Sequence, residues 1–283
     1  MEPLARADWF KFRSVDFTQL DALEDCLEAF AKRELDGVVI RQVYPEAYMR
    51  EISSRIERHE PPFHVFPRGA DPHKARQGKH LYGITLVAAD RDLPEYFRVA
   101  EGFRVQCRDL FRDGADYEAR LKSIFEVLGG GRSVELPRNP DGQGYMPATI
   151  RILPSGAAID LHCDNNLSHH PSYAHLKTVC DVSDQLSFFL TLNAPGGGGE
   201  LFVYSRRWSD SDDVGSQYVV SKDASLVEGC ECLALKPQPG DLILFAGGRI
   251  YHRVAPTEGT RPRYTIGGFL ARANEGRTLY YWS

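Results

Sequence analysis

No apolar run in this 283-residue chain approaches the roughly eighteen residues of a membrane span. Its opening, Met1-Glu2-Pro3-Leu4-Ala5-Arg6, lacks the apolar core of a secretion signal, so a cytoplasmic protein is expected. Lysine and arginine nowhere form a dense block, and the formal net charge is −5. That balance argues against a nucleic-acid polymer or an anionic membrane as partner. The six cysteines (Cys26, Cys107, Cys163, Cys180, Cys230 and Cys232) include no Cys-x-x-Cys pair. A disulfide framework is therefore not expected, and Cys230-Glu231-Cys232 has no second pair with which to close a zinc shell. Internal repeats and long linkers are missing too, which leaves one domain over residues 1–283 as the simplest organisation.

What is present is an ordinary globular composition, 42% hydrophobic and 26% charged. Residues 1–131 read as a mainly helical cover. Phe17, Leu20, Leu23, Cys26, Leu27 and Phe30 predict a helix over 16–34, capped by Asp16 or Thr18. Val38-Val39-Ile40 reads as a short buried strand, and a helix follows from Pro45 to Glu60. Residues 61–80 read as loop, and two further helices are expected between Pro94 and Leu128, parted near Gly114. From Tyr145 onward the texture changes to short β-rich runs at 148–152, 159–164, 186–192, 200–204, 241–245 and 263–271. The Ser- and Asp-rich stretch 206–225 reads as an exposed loop. Together these features predict an α+β protein. Its core over 145–283 is a double-stranded β-helix (a cupin-like jelly roll), with N-terminal and flanking helices.

The chemistry concentrates in Ile159-Asp160-Leu161-His162-Cys163-Asp164-Asn165 and, much later, Gly247-Gly248-Arg249-Ile250-Tyr251-His252. Two residues apart on a strand, His162 and Asp164 would leave the same face. With His252 they would make the two-histidine, one-carboxylate set of non-haem Fe(II) oxygenases, which leaves positions open for co-substrate and O₂. A lone His-x-Asp is weak, because chance supplies on the order of one in a chain of this composition. Context strengthens it. Pro239-Gly240-Asp241 turns into an apolar strand before His252, and Arg261 and Arg263 follow just ahead of Tyr264-Thr265-Ile266. A guanidinium there can take the distal carboxylate of 2-oxoglutarate through two parallel hydrogen bonds. His169 and His170 sit in a Ser- and Pro-rich stretch that reads as a loop near the site mouth.

The chain resembles the Fe(II)/2-oxoglutarate oxygenases that include the freestanding aliphatic halogenases of welwitindolinone- and hapalindole-type alkaloid biosynthesis. The resemblance runs through Asp36-Gly37-Val38-Val39-Ile40-Arg41, Pro147-Ala148-Thr149-Ile150-Arg151, His175-Leu176-Lys177-Thr178 and Asp184-Gln185-Leu186-Ser187. It continues in Gly199-Glu200-Leu201-Phe202-Val203-Tyr204-Ser205, the 247–254 segment, Thr265-Ile266-Gly267-Gly268-Phe269-Leu270 and Tyr280-Tyr281-Trp282-Ser283. It implies His162, Asp164 and His252 as iron ligands and Arg263 as the 2-oxoglutarate arginine. Arg261 is the second choice, and Thr149 and Tyr145 are weaker co-substrate contacts. Ser187 matches a serine that helps orient the reactive side of the iron. The implied substrate pocket comprises Gly78, Leu81, Ile159, Asp160, Leu167 and Asn165 or Asn166.

One departure matters. The halogenases carry Gly or Ala where this chain has Asp164, and chloride takes the position so vacated. The carboxylate here implies hydroxylation of an unactivated C–H bond in a free, not carrier-bound, small molecule of specialised metabolism. Desaturation, ring formation or a halogenase outcome are the alternatives within the enzyme class. A non-catalytic cupin-like binding protein is the alternative outside it.

Overall fold

A computed structural model of the chain describes residues 2–3, 9–63, 65–67, 80–89, 92–209 and 224–283. In chain order the elements begin with β1 (Glu2–Pro3), β2 (Phe12–Asp16), α1 (Cys26–Ala31), β3 (Gly37–Arg41), α2 (Glu46–Glu57), β4 (Val65–Pro67) and β5 (His80–Tyr82). There follow α3 (Leu86–Ala89), α4 (Leu93–Leu110), α5 (Tyr117–Leu128), β6 (Ser133–Glu135), β7 (Thr149–Leu153), β8 (Ile159–His162), α6 (Leu176–Val179) and β9 (Leu186–Asn193). The last are β10 (Gly197–Gly198), β11 (Leu201–Arg207), β12 (Cys232–Leu235), β13 (Leu242–Phe245), β14 (Ile250–Val254), β15 (Thr257–Glu258), β16 (Arg263–Arg272) and β17 (Thr278–Trp282).

Alternation along these strands sorts the side chains into two layers. In the major sheet, ordered β1-β2-β3-β13-β9-β16-β7-β5-β4, the row Ile40, Leu242, Leu190, Ile266 and Ile150 faces the helices. Each of these is at most 1% exposed, and burying such a side chain contributes roughly 1.5–3 kcal/mol. Phe188 on the same face meets Phe125 of α5 edge-on, with ring centroids 5.1 Å apart. The opposite face looks across at the minor sheet, β12-β11-β14-β8, and the functional residues lie between the two. The jelly-roll arrangement with flanking helices agrees with the expected α+β class.

Several local expectations change. The run 16–34 is two short helices, a 3₁₀ turn over Phe17–Leu23 and α1, because Asp25 between them adopts a left-handed φ of 55°. Aspartate tolerates that conformation, so the apolar spacing continues although the helix does not. Asp16 stands at the N-cap position without a capping side-chain hydrogen bond. The helix expected over Pro45 to Glu60 spans Glu46–Glu57, with Pro45 as its N-cap. The N-terminal cover is also not purely helical, since β2 to β5 extend the major sheet. Of the 61–80 loop, 65–67 and 80 are strand, and 68–79 lie outside the described residues. Of the 206–225 loop, 206–207 complete β11 and 210–223 lie outside them.

Candidate metal centre

His162 and His252 are direct partners across the antiparallel pair β8–β14, so sheet register alone places both on one face. Their ring centroids are 4.1 Å apart. Each ring is oriented from behind: His162 Nδ1 lies 2.8 Å from the Asp160 carbonyl, and His252 Nδ1 lies 2.8 Å from the Ile250 carbonyl. A carbonyl only accepts, so each Nδ1 carries a hydrogen and Nε2 is left as the ligand atom of each ring. Phe245 packs edge-on against the His252 ring at 4.9 Å.

Asp164 arrives differently from expectation. β8 ends at His162, and Asp164 opens a 3₁₀ turn over Asp164–His169. The His-x-Asp pair is therefore not a two-residue strand repeat, although its side chains still converge. Asp164 Oδ1 is 3.7 Å from His162 Nε2, and Oδ2 is 3.6 Å from His252 Nε2. One ligand atom from each of the three lies within 4.8 Å of the others, a spacing that can hold one ion. The carboxylate is placed by neighbours outside its own turn. Ser187 Oγ donates to Oδ2, Gln185 Nε2 donates to the Asp164 carbonyl at 2.9 Å, and Asp164 N donates to the Gly247 carbonyl at 2.9 Å. Gly247 is needed for this approach, since a Cβ there would stand 2.5 Å from Asp164 Oδ2 and 2.0 Å from Ser187 Oγ. Burial pushes the Asp164 carboxyl above its ordinary range, against the opposing pull of His252, the Ser187 hydrogen bond and Arg151.

Arg263 starts β16 on the inner face, 4% exposed, with its guanidinium carbon 5.0 Å above the Phe189 ring. Its Nη1 reaches Thr265 Oγ1 at 3.5 Å, and burial lowers its pKa to about 10. No carboxylate pairs with it among the described residues. Beside Thr265, across the β16–β9 pair, stands Thr191, 2% exposed, whose hydroxyl has no hydrogen-bond partner among the described residues. A buried cation and a buried idle hydroxyl on one inner face make a cradle for an anion. Arg261 is exposed and precedes the strand, so the two arginines do not share a face.

The other expected residues separate. Ser187 is at the triad, as described. Thr149 is on the inner face of β7 but hydrogen-bonds Ser283 Oγ at 2.9 Å. Tyr145 is buried against Tyr96 and Phe97, with its hydroxyl 2.8 Å from His175 Nδ1, and the structure does not bring it to the triad. A register shift between the His252–His162 and Val254–Ile159 pairs turns Ile159 inward beside His162, and Asp160 lies in that bulge. Leu81 is fully buried opposite Arg151, and Leu167 packs against the main core. Asn165 Nδ2 donates to Asp184 Oδ1 at 3.3 Å, and Asn166 is half-buried. Gly78 lies outside the described residues. His169 faces Trp208 with ring centroids 6.4 Å apart, and His170 caps the next 3₁₀ turn.

Sequence reasoning missed Thr265, Thr191, Arg151, Gln185 and Gly247. Strand parity offered a signal for two of them, as Thr265 alternates with Arg263 and Thr191 with Ser187.

A jelly roll whose inner face gathers two histidines and a carboxylate beside a buried arginine defines the class: the Fe(II)/2-oxoglutarate oxygenase superfamily. A family model described as carrier-protein-independent halogenase WelO5 matches residues 9–283, and the chain belongs to that family. Among solved structures it is similar in fold to an N-substituted L-amino acid dioxygenase from Burkholderia ambifaria. Identity is 19% and the TM-score 0.60, covering 94% of this chain and 91% of that one. The same dioxygenase in complex with alpha-KG aligns at 17% identity and TM-score 0.57, over 93% and 91% of the two chains. No curated protein matches the chain. No helix among the described residues is long and apolar enough to cross a membrane.

Proposed function

We propose that the protein is an Fe(II)/2-oxoglutarate-dependent hydroxylase acting on a C–H bond of a free small molecule. The residues fit both groups. Two imidazoles and one carboxylate suit Fe(II), and the cradle of Arg263, Thr265 and Thr191 suits the distal carboxylate of 2-oxoglutarate. Bound iron, with 2-oxoglutarate and O₂, supplies the oxidising power for C–H cleavage. The chain's own residues bind and position. Asp160 and Ile250 carbonyls keep the histidine protons off the ligand atoms, and Ser187 with Gln185 holds Asp164 in place. Leu81 and Ile159 offer apolar surface on the inner face.

The observation that carries hydroxylation over halogenation is Asp164 itself. Its carboxylate occupies the place where the halogenases this chain resembles carry Gly or Ala, and Ser187 donates to that carboxylate. The decisive experiment incubates the protein with Fe(II), 2-oxoglutarate, chloride and a panel of free small molecules, reading succinate and product mass. Gain of one oxygen atom is expected. Chlorinated product from the native chain, or full turnover by His162→Ala, would overturn the assignment.

A further inference from the structure

Arg263 is one guanidinium of the barrel interior. A second, Arg151, projects from the neighbouring strand β7. In the sheet register Arg151 pairs with Leu81 on one side and Thr265 on the other, and Thr265 pairs in turn with Thr191. These four residues form one straight row across the inner face. The row of Arg263 lies two residues back along β16, about 6.6 Å further from the Phe269–Ser187 row that touches Asp164. The two arginines thus stand at successive depths, with Arg151 the nearer of the two to the row that touches Asp164. The Arg263 head lies instead over Phe189.

2-Oxoglutarate is a five-carbon diacid, and its two ends need different partners. The distal carboxylate suits the Arg263 cradle. The carboxylate next to the keto group would share the metal with Asp164, bringing two anions close together. A guanidinium beside them offsets that repulsion and donates to the oxygen not used by the metal. We propose that Arg151 binds this metal-chelating carboxylate, so that the co-substrate is held by a guanidinium at each end. The proposal rests on the 2-oxoglutarate assignment above. It makes Arg151 a co-substrate residue and leaves substrate recognition to other side chains.

The test is equilibrium binding to the full-length protein loaded with Mn(II), read by calorimetry without turnover. The probes are 2-oxoglutarate and 2-oxopentanoate, which keeps the keto acid end and lacks the distal carboxylate. Arg263→Gln is expected to weaken 2-oxoglutarate at least about tenfold and to leave 2-oxopentanoate unchanged. Arg151→Gln is expected to weaken both at least about tenfold, with Mn(II) affinity and melting temperature as controls for a structural effect. Arg151→Lys keeps the charge and loses the fork, so it should fall between wild type and Arg151→Gln for both ligands. Should Arg151→Gln not fold, the lysine variant decides alone. If the variant that folds binds both ligands within about twofold of wild type, or loses only 2-oxoglutarate, the proposal is wrong. Wild-type protein that binds neither ligand would remove the co-substrate assignment itself, a distinct result.

Discussion

Substituting Gly247 by alanine tests whether close packing, more than ligand identity, sets the metal centre. Gly247 does not use a left-handed φ, so the backbone tolerates alanine and the perturbation is purely one of contact. The new Cβ would stand 2.0 Å from Ser187 Oγ, 2.5 Å from Asp164 Oδ2 and 2.7 Å from Ser187 Cβ, where ordinary contact begins at 3.4 Å. Ser187 and Asp164 cannot both retreat that far and keep their hydrogen bond. Overpacking of this kind costs about 1–3 kcal/mol of stability. Loss of the charge-assisted bond, and movement of a ligand that must stay within about 0.5 Å, should weaken metal binding about 10- to 100-fold. Anaerobic Fe(II) titration by calorimetry gives the affinity, and differential scanning gives the melting temperature. The penalty should shrink in an Asp164→Gly background, where one of the colliding groups is gone. An alanine variant with Fe(II) affinity within about twofold of wild type and an unchanged Tm would refute the reasoning.

Ser187→Ala should lower metal affinity about 10- to 100-fold with little change in fold, measured by the same titration. Arg263→Met should abolish 2-oxoglutarate binding while raising the Tm of the ligand-free protein, because a buried cation without a carboxylate is replaced by apolar volume. The pH dependence of that gain has a definite sign. Burial lowers the Arg263 pKa to about 10, below its value in the unfolded chain, so the penalty is fully present near neutrality and relieved as pH rises above about 10. The Tm gap between variant and wild type should therefore narrow at high pH, and a gap independent of pH would count against a charge origin. Asp164→Gly with added chloride should retain 2-oxoglutarate binding and lose hydroxylation, as read by calorimetry and product mass.

The strands and the later helices were legible in the sequence because alternation and apolar spacing report burial directly. Val38 to Ile40 and the break before α5 follow from such local signals. The residues 16–34 misled because apolar spacing survives a left-handed break at Asp25 that no periodicity records. At the site, His162, Asp164, His252 and Arg263 could be picked out as residue types in a suggestive order. Among their supports, Ser187 came only through the family resemblance, and Gln185 and Gly247 could not be read at all, since they meet Asp164 only through sheet pairing and turns far apart in sequence. Arg151 was invisible for the same reason: its place in the interior depends on the β7–β16 register. Tyr145 shows the converse, a plausible residue type whose hydroxyl is engaged with His175.

The pairing of His162 with His252 across two strands, with Asp164 held from the turn beyond, gives the three ligands separate foundations. The histidines depend on a register fixed by backbone pairing along β8 and β14. The carboxylate depends on side-chain and glycine contacts from β9 and the loop after β13. One ligand can therefore be exchanged without dismantling the seat of the other two. A substitution at Asp164 then requires no refolding, because the strand register has no stake in that position.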